Sequence, residues 1–174
     1  MAGTSFSPTN SRHSLVLCAS LVQNPMNLGA LCRTAEVFGL TALVVPSEAT
    51  RTDPTFRKVS VSAHRWQPCW VCSPEHLTKW LGEQHTAGYE IWALTRAQGA
   101  IALHQFQFPQ RIVLVLGREL TGIPDEILSR CSGTIAIPQF GRIESLNVQT
   151  AAAIATYAYQ CQHGFSNPDP SINV

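Results

Sequence analysis

The chain has 174 residues, a formal net charge of +1, 45% apolar residues and six cysteines. That length suits one full hydrophobic core and not two, so a single globular domain is expected. Near-neutral charge does not mark the whole chain as a polyanion binder, and no apolar run approaches the roughly 20 residues of a membrane-spanning helix.

The stretch Met1–Arg12 is rich in Ser and Thr and has no apolar segment of the kind a secretory signal carries, which makes the cytoplasm the expected location. Residues 1–12 are expected to be a flexible N-terminal segment, 13–164 the folded domain and 165–174 a loose tail, because Asn167-Pro168-Asp169-Pro170 cannot continue a helix. Cys18, Cys32, Cys69, Cys72, Cys131 and Cys161 sit mostly in apolar contexts and read as buried free thiols. Cys69 and Cys72 have a spacing that redox chemistry or half of a zinc site uses. No second pair stands at finger spacing, so no metal is expected.

Strand-length apolar runs alternate with helical patterns along the chain, the signature of an α/β fold with a mostly parallel sheet flanked by helices. The expected strands are His13–Leu21, Thr41–Val45, Trp70–Cys72, Tyr89–Thr95, Arg111–Leu116 and Thr134–Ile137. The expected helices are Asn27–Phe38 with Gly39 as its stop, a short one after Asp53-Pro54, one capped by Ser73 and ending near Gly88, Pro124–Arg130, and Ser145–Gln162. Between Arg51 and Arg65 lie Arg51, Arg57, Lys58 and Arg65 against the single acid Asp53: a basic patch or a solvated helix face.

Three segments break the pattern of a plain α/β domain, each where a strand gives way to a loop or helix, the edge at which open parallel sheets bind ligands. In Asn24-Pro25-Met26-Asn27-Leu28-Gly29-Ala30-Leu31-Cys32-Arg33, Asn27 is a candidate helix cap, Gly29 allows close approach of another segment, and Arg33 follows six residues after Asn27. A capped helix with one solvent-facing Arg explains the same residues. In Leu116-Gly117-Arg118-Glu119-Leu120-Thr121-Gly122, Gly117 permits a ligand near the backbone and Glu119 places a carboxylate at the sheet edge, although an ordinary strand-to-helix turn has the same look. In Ile137-Pro138-Gln139-Phe140-Gly141-Arg142-Ile143-Glu144-Ser145-Leu146-Asn147-Val148, Ser145 suffices as a cap and leaves Asn147 seeking a partner. The small residues Thr150–Ala155 suit close packing against a loop or a partner subunit.

Taken in order and spacing, the three segments resemble the three motifs of the SpoU family of SPOUT methyltransferases, from about Leu15 to about Gln162, with the tRNA guanosine ribose methyltransferases as the nearest branch. The resemblance implies that 13–164 is a SpoU-type methyltransferase domain with a deep trefoil knot in its C-terminal part. It also implies a homodimer with active sites near the interface, S-adenosylmethionine as cofactor, and RNA, tRNA first, as substrate. Carried over by position, Leu94, Thr95, Gly117, Ile137 and Leu146 are the expected cofactor-binding residues, and Arg33, Asn27, Glu119, Ser145 and Asn147 the catalytic set. Arg33, Arg57, Lys58, Arg65 and Arg118 are the expected RNA contacts. Arg118 stands where the family usually has Asn, placed to reach RNA phosphate or to pair with Glu119. Arg118 also keeps a second class open, a SPOUT-fold protein that binds RNA or cofactor without transferring methyl groups.

Overall fold

Seven short β-strands make up the sheet; the central ones are rich in Val, Leu and Ile and buried on both faces, as in a parallel sheet covered on both sides, whereas the strands at the two edges are half-buried to exposed. In the computed structural model, which describes residues 12–143 and 145–164, these are β1 His13–Cys18, β2 Leu40–Val45, β3 Cys69–Val71, β4 Glu90–Leu94, β5 Ile101–Ala102, β6 Ile112–Leu116 and β7 Gly133–Ala136. They form one sheet in the order β3-β2-β1-β6-β4-β7-β5, every neighbouring pair parallel. The helices are α1 Pro25–Val37, α2 Glu48–Thr52, α3 Pro54–Ser60, α4 Leu77–Thr86, α5 Asp125–Leu128 and α6 Val148–His163.

The period-two alternation of strand side chains divides the core. Leu15 and Leu17 of β1 and Ile112, Leu114 and Leu116 of β6 face a cluster that contains Leu31 and Cys32 of α1, Phe56 of α3, and Ala152, Ala155 and Tyr159 of α6. Val16, Cys18, Val113 and Val115 face the opposite cluster with Leu77 and Leu81 of α4 and Ile127 of α5.

Expected and observed elements agree in type and differ at their ends. The first strand stops at Cys18, because beyond it Ala19 N–H still bonds Val44 O while the chain turns through Ala19–Val22. The two-residue strand β5 and the helix α2 had no periodic signal long enough to announce them. Ser73 precedes a single 3-10 turn, Pro74–His76, and its hydroxyl makes no cap bond. Residues 1–11 and 165–174 of the segments expected to be loose lie outside the described residues. Arg12, expected to share that looseness, is anchored: its guanidinium donates to Leu40 O, Gln67 Oε1, Glu36 Oε2 and Trp66 O at 2.8–3.1 Å.

The last helix is tied down in its final turns. Tyr159 donates to Gln110 O at 2.7 Å, Gln160 Nε2 to Phe38 O at 2.9 Å and Gln162 Nε2 to Phe106 O at 2.7 Å. Anchored so, α6 holds its N-terminus at the C-terminal edge of the sheet. The cysteines are all free thiols, with Cys18, Cys32 and Cys72 buried and Cys161 exposed. No described helix is long and apolar enough to cross a membrane, and no group of His, Cys, Asp or Glu among the described residues is arranged to hold a metal.

Candidate active site

Where β4, β6 and β7 end, their outgoing loops surround a cavity of about 370 Å³, within the usual size range of small-molecule sites. Leu94 and Thr95 line it from β4, Leu116 and Gly117 from β6, Ile135, Ala136 and Ile137 from β7, and Ser145, Leu146, Asn147 and Ala151 from the approach to α6. All five residues expected to bind cofactor (Leu94, Thr95, Gly117, Ile137 and Leu146) are therefore on one cavity wall system, although 52 residues separate the first from the last. Its walls mix aliphatic residues with polar and charged ones, Thr95, Arg96, Arg118, Glu119, Gln139, Ser145 and Asn147 among them, so an apolar ring and polar edges can both be met.

Two polar residues that line the cavity, Glu119 and Asn147, belong to a hydrogen-bonded series that also takes in Asn27 and Gln149, which are not among the lining residues. Gln149 N–H donates to Asn147 Oδ1 at 2.9 Å, Asn147 Nδ2 to Asn27 Oδ1 at 3.1 Å, and Asn27 Nδ2 to Glu119 Oε1 at 2.9 Å. The three motifs thus meet at Asn27, which is 8% exposed. Both cap expectations change. Asn24, not Asn27, caps α1, its Oδ1 accepting from Met26 N–H at 2.9 Å; Asn27 sits inside the first turn and is released for the site. Asn147, not Ser145, caps α6 through the Gln149 bond, so one side chain both ends the helix and holds Asn27. A single amide manages this because its oxygen accepts while its nitrogen donates.

The glycines act through packing. A β-carbon on Gly29 would lie 2.7 Å from Phe56 O, so α3 is the segment that approaches α1 there. A β-carbon on Gly117 would lie 2.9 Å from the Gly122 carbonyl carbon, so besides lining the cavity Gly117 closes its own loop. That loop is pinned by Arg118 N–H to Gly122 O at 2.9 Å and the reverse bond at 3.1 Å, with Gly122 at φ +68°. Arg118 lines the cavity, and the carboxylate of Glu119 is taken up by Asn27.

Arg33 is not among the residues lining the cavity; it is exposed on α1. Met26, Arg33 and Val37 fall on one stripe of α1 by their seven- and four-residue spacing, and Met26 and Val37 are exposed apolar residues. Arg57, Lys58 and Arg65 are exposed around α3 and also lie away from the cavity lining. Sequence reasoning missed Arg96 and Gln139, which both line the cavity and are joined by an Arg96 Nη1 to Gln139 Oε1 bond of 3.3 Å. Gln139 lies inside the third motif; Arg96, one residue past an expected strand, carried no signal beyond that position.

Residues 14–157 match the SpoU rRNA Methylase family. The chain is 35% identical over 154 residues to a Saccharomyces cerevisiae tRNA (guanosine(18)-2′-O)-methyltransferase, covering 88% of this chain and 11% of that protein. It is 36% identical over 156 residues to the Mus musculus tRNA (guanosine(18)-2′-O)-methyltransferase TARBP1, covering 90% of this chain and 10% of that protein. The chain thus spans about a tenth of the length of both relatives. Among solved structures it is similar to the A. aeolicus TrmH/SpoU tRNA modifying enzyme, with a TM-score of 0.77, 26% identity and coverage of 87% of this chain and 76% of that one. It is also similar to the AdoMet-bound rRNA methyltransferase from Sinorhizobium meliloti, with a TM-score of 0.75, 25% identity and coverage of 87% and 56%. With two motifs lining one cavity at the strand ends, the other bonded to both through Asn27, and a family match over most of its length, the chain belongs to the SpoU rRNA Methylase family.

Proposed function

We propose that the chain transfers a methyl group from S-adenosylmethionine to a ribose 2′-hydroxyl of RNA, with guanosine in tRNA as the first substrate to test. The observation that carries this reading is the cavity lined by Glu119 and Asn147, two members of the Gln149–Asn147–Asn27–Glu119 hydrogen-bond series. The aliphatic side chains of Ile137 and Leu146 suit the faces of an adenine, while main-chain groups of the Leu94–Thr95, Gly117 and Ile137 segments suit its polar edge.

S-adenosylmethionine, when bound, supplies a sulfonium methyl that needs no further activation. The work left to the protein is to align the hydroxyl with that carbon and to favour loss of its proton. Arg33 is assigned to the developing oxyanion and an adjacent phosphate. A guanidinium keeps its proton too tightly to be a base, but its planar donor fork spans two oxygens. Asn27, Glu119, Ser145 and Asn147 fix the geometry around it.

Because Arg33 stands on an exposed stripe with Met26 and Val37, and Ile154 and Tyr157 of α6 are exposed as well, a homodimer across α1 and α6 is part of this reading. So is a trefoil knot. Its support is that β7 lies between β4 and β5 while the chain leaving β7 returns as α6 onto the 103–108 segment that joins β5 to β6. Arg57, Lys58, Arg65 and Arg118 are the proposed further contacts to RNA phosphates.

The experiment is incubation of the purified chain with transcribed tRNA and methyl-labelled S-adenosylmethionine, 2′-O-methyl mapping of the product, and calorimetry with S-adenosylhomocysteine. Label at a defined ribose together with binding heat is expected. No label and no heat would sink the proposal.

A further inference from the structure

Burying a large aromatic side chain is among the stronger apolar gains open to a folding chain, and Phe140 takes none of it: it is 98% exposed. It follows directly on Gln139, which lines the cavity and holds Arg96. Arg142 is exposed two residues further on the same loop, and Arg96 and Arg118 line the cavity itself. The carboxylate beside them, Glu119, is engaged by Asn27. The mouth therefore presents an unburied aromatic ring among arginines, the combination with which proteins hold single-stranded nucleic acid: ring on base, cation on phosphate.

The geometry points to Phe140 as a stacking platform for the base of the acceptor nucleotide, with Arg142 on a neighbouring phosphate, so that the substrates are RNAs in which that nucleotide is unpaired. This inference rests on the RNA methyl-transfer reading. A ribose brought to a cavity at the sheet edge belongs to a nucleotide turned out of its stack, and its base loses its neighbours unless the protein replaces one. Phe140 is the exposed ring placed to do so. Stacking accepts any base, so Phe140 selects for an unpaired nucleotide and not for its identity. A second copy of this chain is the weaker occupant, because Gly141 and the exposed Arg142 follow Phe140 directly on the loop and interrupt any apolar patch there.

The test is fluorescence anisotropy of end-labelled transcribed tRNA and of a fully paired RNA duplex, across a KCl series. It compares wild type with Phe140→Ala, Phe140→Trp and Arg142→Ala. Phe140→Ala is expected to weaken tRNA binding on the order of tenfold with an unchanged salt slope and unchanged duplex binding. Phe140→Trp is expected to restore it, and Arg142→Ala to lower the salt slope by about one. Wild-type tRNA affinity in Phe140→Ala, or an equal loss on the duplex, overturns the inference. So does a dimer-to-monomer shift of Phe140→Ala in sedimentation, which assigns the patch to a second copy. Anisotropy needs no turnover: the expected pattern in a wild type that transfers no methyl leaves the stacking site standing and removes the transferase reading.

Discussion

Asn147 Nδ2 donates to Asn27 Oδ1 at 3.1 Å, joining the start of the last helix to the first turn of the first. The direction of this bond is not free. Gln149 N–H can only donate, so Asn147 must turn its oxygen to it and its nitrogen to Asn27. Asn27 is then obliged to present its nitrogen to Glu119, whose carboxylate accepts. Two side-chain amides, each able to flip in isolation, are fixed by a backbone donor at one end and a carboxylate at the other.

Asn147 therefore has two duties that substitution separates. Asn147→Ala removes the cap and is expected to cost about 0.5–2 kcal/mol of stability, whereas Asn147→Ser keeps a capping oxygen and is expected to stay within about 0.5 kcal/mol of wild type. Both lose the bond to Asn27, so both are expected to slow methyl transfer. Urea denaturation alongside single-turnover assays checks this, and an Asn147→Ser protein with full activity would refute the link between Asn27 and the reaction.

Arg33 is exposed, so Arg33→Ala is expected to change stability by less than about 0.5 kcal/mol. If it stabilises the reacting oxygen, the same change should slow methyl transfer on the order of 100-fold or more while leaving cofactor affinity within about twofold. Arg33→Lys keeps the charge without the planar fork and should stay impaired. Near-normal rates in both variants at saturating cofactor remove Arg33 from the reaction.

Gly29→Ala opposes two effects. Alanine is the better helix former by about 1 kcal/mol, but its β-carbon would come 2.7 Å from Phe56 O and 2.9 Å from Val59 Cβ, and α1 and α3 would have to separate. Overpacking of this kind costs about 1–3 kcal/mol and should win. A urea midpoint equal to or above that of wild type would show that the helices part freely.

Stability is expected to fall on acidification. The pKa of His13 is held below its usual value, first by burial and then by the neighbouring His163, with Tyr159 packed between them at ring distances of 6.2 and 4.4 Å. A histidine with a lowered folded pKa binds fewer protons folded than unfolded. Its contribution is therefore complete above the unfolded value of about 6.5 and is lost as the pH drops from there towards the folded value. His64 is lowered in the same direction, by burial and by Arg57 and Arg65, so His13→Gln should flatten the slope only in part. Scanning calorimetry at pH 7.5 and 5.5 measures it; an identical pH dependence in His13→Gln rules His13 out.

Strand and helix types were legible because continuous apolar runs mark β1 and β6 and helical patterns with recognisable ends mark α1 and α6, and two of the three motifs lie on the cavity walls. The site's wiring was not. Whether Asn24 or Asn27 capped α1 depended on Glu119, 92 residues away, and local propensity allowed either. Ser145 was a reasonable cap by residue type, yet α6 starts three residues later, at Val148, because Asn147 is held by Asn27. Gly29 read as room for another segment, but only packing identified α3 as that segment. Arg33 had a motif spacing and no way of announcing which side of α1 it would occupy.

The span between Asn27 and Asn147 also sets a clock. At about 5–20 residues per second, a ribosome needs roughly 6–24 s to make the 120 residues between them. Throughout that interval the nascent chain has β1, α1 and later Glu119, which takes the Asn27 nitrogen, but no donor for the Asn27 oxygen and no α6. A chain stopped short of residue 147 lacks both Asn147 and the helix behind it, so the hydrogen-bonded series closes only once α6 has been made.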